Sequence, residues 1–182
     1  MAATLKQTEG LPGSRPTPHR LATSDSAPAD ALRRVEHTWQ RIEHFIAYRW
    51  GQRDVEWIVE GGGDWQPPLA PATISEVSEW TGEVWNAIDP KPSPLGGLCF
   101  DVGTFRVLAT VGSDREPPAA IAEAIVRFTA FEAAHLENAG FESRAMEVGE
   151  EREQYELRGD AMARAFQLSG AADLLRPWRR SR

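Results

Sequence analysis

Apolar side chains return at three- and four-residue steps from Leu32 through Val35, Trp39 and Ile42 to Ile46, which puts them on one face of a helix starting near Asp30. Asp30 suits the cap of the first turn and Gly51 the stop of the last, so the helix predicted here is a rod of about 30 Å. A second stripe, Ile121, Ala124, Ile125, Phe128 and Phe131, follows the pair Pro117-Pro118, where proline tolerates a first helical turn, and Gly140 is placed to stop it. Two long amphipathic helices predict a packed pair.

Between the helices the period shortens to two. Val55, Trp57 and Val59 alternate with Glu56 and Ile58 until Gly61-Gly62-Gly63 breaks the run. Val77 to Trp80 and Glu83 to Ile88 flank the turn pair Thr81-Gly82 and predict a hairpin. Phe105, Val107, Ala109 and Val111 alternate with Arg106, Leu108 and Thr110, a strand closed by Gly112. The pattern predicts an α+β fold: a small helical bundle built on two long amphipathic helices, with an inserted antiparallel β region and extended N- and C-terminal arms.

The remaining segments lack a clean period. Residues 1–29 hold turn and linker chemistry, Leu11-Pro12-Gly13-Ser14 and Ser24-Asp25-Ser26-Ala27-Pro28, and are expected to be disordered or ordered by a partner. Residues 30–140 form the core, and 141–160 an acidic linker, mobile or weakly helical, broken by Gly149 and Gly159. Residues 161–182 are a short helix followed by a tail in which Leu174, Leu175 and Trp178 mix with Arg176, Arg179, Arg180 and Arg182. A terminal peptide that short cannot bury its own apolar groups, so it reads as a docking segment for another protein.

Composition narrows the class. The chain of 182 residues is 41% hydrophobic, enough for one modest core plus extensions, and its formal net charge of -7 argues against general nucleic-acid binding. The lone Cys99, in the apolar run Leu98-Cys99-Phe100, is expected to be a buried filler in a reducing compartment. With no apolar run of about 18 residues and no signal-peptide core, the chain is read as soluble, unassociated with membrane and assembled in the cytoplasm.

Catalytic chemistry is not legible. His37 and His44 share a helix face but sit about 10 Å apart, too far to hold one metal. The carboxylate pairs Glu76/Glu79, Glu150/Glu151 and Glu153/Glu156 read as solvated surface, and Gly61-Gly62-Gly63 lacks the spacing and the following lysine of a phosphate loop. The chain is therefore expected to be neither an enzyme nor a cofactor or metal binder. Trp57, Trp65, Trp80 and Trp85 crowd the β region, and three readings stay open: packing of the core, contact between subunits, or a carbohydrate-binding β module whose rings stack on sugars.

A resemblance adds to this. Arg41 to Gly51 with its Trp50-Gly51 exit, Trp65-Gln66-Pro67-Pro68-Leu69-Ala70-Pro71, Phe105 to Gly112, the Pro117-Pro118 helix start with Ala122 to Phe128, and the ending Leu168 to Arg179 follow one another in an order that resembles the head–tail connector, or adaptor, proteins of long-tailed phages and gene transfer agents. The arm 1–29 and the acidic stretch depart from that pattern. The resemblance implies a homo-oligomeric ring of twelve copies in the virion neck, beneath the portal protein and above a stopper or tail-terminator protein. DNA would pass through its lumen without specific binding, as an acidic wall favours. It also implies a portal anchor at Leu174, Leu175, Arg176, Trp178, Arg179 and Arg180.

Overall fold

Long antiparallel strands, rather than helices, dominate the computed structural model, which describes residues 1–16, 29–136, 143–148, 151–156 and 164–179. The chain divides into two compact units, one of Met1–Pro16 with Ala47–Glu116 and one of Thr17–Ile46 with Pro117–Arg182.

The first unit is a six-stranded antiparallel sheet. Its strands are β1 (Ala3–Glu9), β2 (Arg53–Trp65), β3 (Ala72–Trp80), β4 (Trp85–Ala87), β5 (Lys91–Pro92) and β6 (Leu98–Val111). They run in the order β1-β2-β6-β3-β4, with β5 on β6. The alternation seen in sequence sets the core: Trp57 lies opposite Val107, Val59 opposite Phe105 and Val55 opposite Ala109, and all six are buried. Trp65, Leu69, Val77 and Phe100 join the same cluster. Each large side chain so buried contributes about 1.5–3 kcal/mol.

Among its described residues the second unit holds four helices, two of them only four and five residues long, and a two-stranded hairpin. The helices are α1 (Ala29–Phe45), α2 (Ala119–Leu136), α3 (Ala165–Leu168) and α4 (Ala171–Leu175), followed by a 3-10 turn over Arg176–Trp178. The hairpin pairs β7 (Ser143–Val148) with β8 (Glu151–Glu156). Val35, Trp39 and Ile42 on α1 and Ile121, Ala124, Ile125 and Phe128 on α2 are buried, as their stripes predict. The polar face between them is also used. Glu132, almost fully buried, accepts hydrogen bonds from Arg41 at 2.7 Å and from the Thr38 hydroxyl at 3.3 Å.

The expected bundle on two long helices with a small β insertion is therefore overturned; the antiparallel sheet is the dominant element. The error lies at the glycines. Gly61-Gly62-Gly63 does not end β2 but forms a bulge, where the pairing with β6 shifts register and the strand continues to Trp65. β6 accordingly starts at Leu98, seven residues ahead of the alternation that announced it. Four other expectations change as well. Residues 3–9 of the expected disordered arm are strand β1, paired with β2, and the acidic stretch contains the β7–β8 hairpin. α1 stops at Phe45 instead of running to Gly51, because Tyr48 and Trp50 make bridges with Ala70 and Ser113. Cys99 is exposed, since strand alternation turns Phe100 inward in its place. The Gly140 stop and residues 17–28 lie outside the described residues.

Candidate functional site

The C-terminal segment is the feature that sequence singles out, and its sequence fixes how it turns. Gly170 adopts φ 71°, a left-handed conformation that reverses the chain between α3 and α4. The reversal lets Ala165, Ala171 and Leu175 all become fully buried in the helical unit. Phe166 stacks on two rings, Phe45 of α1 at 4.7 Å and Phe128 of α2 at 4.4 Å, both inclined by 19°. The Arg41 guanidinium lies 4.6 Å from the Phe128 centroid, and that of Arg179 lies 4.6 Å from the Phe45 centroid. Three phenylalanines and two arginines thus hold the tail on its own helices.

This placement divides the six expected anchor residues. Leu175 is spent at home: it is fully buried in the helical unit. Leu174 and Trp178 are half-buried, and Arg176 and Arg179 are exposed, as is Leu168 nearby. Arg180 lies outside the described residues. The tail is therefore a folded element with an apolar inner side and a surface bearing arginines. Phe128 was placed on its helix stripe by the sequence, but its meeting with Phe45 and Phe166 was not, because the three rings lie in different segments that no local period links.

The four tryptophans of the β unit also divide. Trp57 and Trp65 are buried, their indole N–H groups donating to the Gln7 side-chain oxygen at 2.8 Å and the Thr4 hydroxyl at 2.9 Å. Neither can stack on a sugar. Trp80 and Trp85 face each other across the β3–β4 hairpin, centroids 5.1 Å apart and planes 50° apart, with Trp80 40% exposed. The Arg106 guanidinium lies 5.1 Å from the Trp85 ring centre. A tilted pair is a poor flat platform for a sugar ring.

One charged cluster was not anticipated. Arg49 and Arg53 are buried where the chain enters β2; Arg49 donates to Glu9 of β1 at 3.0 Å, and Arg53 lies 3.6 Å from it. Burial pushes the Glu9 carboxyl upward, but the hydrogen bond and charge of Arg49 and the charge of Arg53 outweigh it and hold Glu9 below its ordinary range. The sequence signal was absent because 40 residues separate Glu9 from Arg49.

The other candidates do not converge. His37 lies 3.7 Å from Glu132, while His44 donates to the Gln40 carbonyl at 2.7 Å. Glu76 accepts from Ser78 and lies 3.6 Å from Arg106. Among the described residues no three His, Cys, Asp or Glu side chains gather as a metal site, and no helix is long and apolar enough to cross a membrane.

No family model and no curated protein sequence matches the chain. Solved structures do share its fold. A chain in the neck of a native gene transfer agent particle, computed with C12 symmetry, matches with a TM-score of 0.58 at 15% identity over 98% of this chain and 97% of that one. A chain in the virion of a native gene transfer agent particle gives 0.57 at 15% identity over 100% and 96%. A chain in the neck of an empty particle, computed with C6 symmetry, gives 0.55 at 16% identity over 100% and 96%. The likeness is one of fold, and it runs through both units from end to end.

Proposed function

We propose that the chain is a structural subunit of a virion neck, a head–tail adaptor that assembles as a ring beneath the portal, extends the DNA channel and offers a surface to the stopper or tail. The observation that carries this reading is the end-to-end fold likeness to a chain from a gene transfer agent neck computed with C12 symmetry. Heterologous contacts between identical copies close into such rings, and an overall charge of -7 per copy suits a conduit through which DNA slides without sticking. In this reading the portal contact is the outer surface of the folded tail, with Leu174, Arg176, Trp178 and Arg179 as its side chains. Leu175 holds that surface in place from beneath.

The experiment is genetic. Particles made without the chain should accumulate as DNA-filled heads lacking tails under the electron microscope. Because Leu175 supports the chain's own fold, cutting off the tail would confuse folding with docking. Arg176→Glu combined with Trp178→Ala is the cleaner variant: a folded protein that fails to join heads is expected. Normal tailed particles in the absence of the chain would overturn the neck assignment.

A further inference from the structure

We propose that the N-terminal strand is exchanged around the ring, the Met1–Pro16 segment of each copy completing the sheet of its neighbour. The inference rests on the ring reading above and adds how adjacent copies are tied together.

Its first support is connectivity. β1 and β2 are antiparallel neighbours, yet no hairpin joins them. After Pro16 the chain enters the helical unit, forms α1, and returns to the sheet unit only at Ala47. Antiparallel neighbours are ordinarily linked by a few residues. Here the strand is an element supplied from a distance in sequence, with residues 17–46 of the helical unit between it and the rest of its sheet.

The second support is a socket built for a strand rather than for an apolar plug. Five of the seven residues of β1 are exposed. What fixes the segment is its ladder with β2 and a row of polar anchors: Thr4 to the Trp65 indole, Gln7 to the Trp57 indole, and Glu9 to Arg49 and Arg53. Farther on, the Gly10 and Gly13 amides donate to the Asp54 and Gln52 carbonyls. At Gly51, which has φ 73°, a Cβ would sit 2.8 Å from the Gly13 carbonyl oxygen, so the groove is one backbone wide. Without an occupant, two buried indole N–H groups and two buried guanidinium groups would lose partners. The groove therefore demands a strand, and every one of these contacts is equally available from a second copy. Exchange of an identical element conserves them all and links neighbours with little new surface.

Cross-linking in the assembled particle tests this. Thr8, exposed, and Glu56, half-buried, lie directly opposite in the β1–β2 register, a spacing that accepts a disulfide. Particles are assembled from the Thr8→Cys, Glu56→Cys variant in a Cys99→Ser background, oxidised, and run on a denaturing gel without reductant. Exchange predicts a ladder of covalent multimers. A band at single-chain mass, from particles shown by mass spectrometry to contain the chain, overturns exchange and leaves the neck reading standing. Particles in which the chain is missing overturn both.

Discussion

Phe166 of the tail stacks on Phe45 of α1 with ring centroids 4.7 Å apart, and this contact joins residues 121 positions apart in sequence. It makes the last part of the chain a piece of the helical unit, with α3, α4 and the following turn folded rather than trailing. Any docking by this end is then docking of a preformed surface, which loses less conformational entropy than a peptide that folds on its target.

If that stack holds the tail, Phe166→Ala should lower stability by about 2–3 kcal/mol, and Leu175→Ala by a similar amount. Arg179→Ala, at an exposed position over Phe45, should cost about 0.5–1 kcal/mol. Urea denaturation gives the midpoints. In addition, limited trypsin digestion should cut after Arg164 far sooner in the Phe166 variant than in the parent. Unchanged cleavage would mean that the ring does not hold the tail.

The Glu9 cluster makes the sheet unit sensitive to acid in a defined direction. In the unfolded chain the carboxyl titrates near its ordinary value of 4.5, and in the folded chain it titrates lower. Its stabilising contribution is complete above the unfolded value and is lost as pH falls through the folded one. Glu9→Gln should therefore cost about 1–3 kcal/mol at neutral pH and flatten the fall in stability as pH drops below the carboxyl's ordinary value. A variant whose stability falls as steeply with acid as the parent's would remove Glu9 as the cause.

Trp80 and Trp57 should behave as opposites in solution. Trp80 is 40% exposed, whereas Trp57 is fully buried with its N–H bonded to Gln7. Trp80→Phe should therefore remove a large share of the fluorescence that iodide quenches, and Trp57→Phe almost none. Gln7→Ala should destabilise the fold by about 1–3 kcal/mol by leaving the Trp57 N–H without its partner. Addition of oligosaccharides should leave the emission unchanged; a saturable shift would revive the sugar-binding reading.

The sequence reading succeeded where the signal was local and periodic. The stripes of α1 and α2 and the alternation of Val55 to Val59 and of Phe105 to Val111 lie within single elements, and the turn at Thr81-Gly82 joins two strands adjacent in sequence. It failed where pairing was remote. A strand such as β1, with Leu5 its largest apolar side chain and polar residues around it, reads as an arm until its partner β2 is in view. The glycine bulge hid half of β2, because glycine that ends a strand and glycine that bends one look alike in one dimension. The tail was recognised as an apolar and cationic segment, but its inner surface was not, since Phe45, Phe128 and Phe166 meet only once α1, α2 and α3 are packed.

The neck assignment is tested most directly by a cryo-electron microscopy reconstruction of the neck of particles that contain this chain. The account predicts a closed ring of copies, each with its folded tail turned to the portal and Arg176 and Trp178 at the boundary. A map in which the neck is filled by other proteins and this chain is traced elsewhere in the particle, or nowhere, would contradict it.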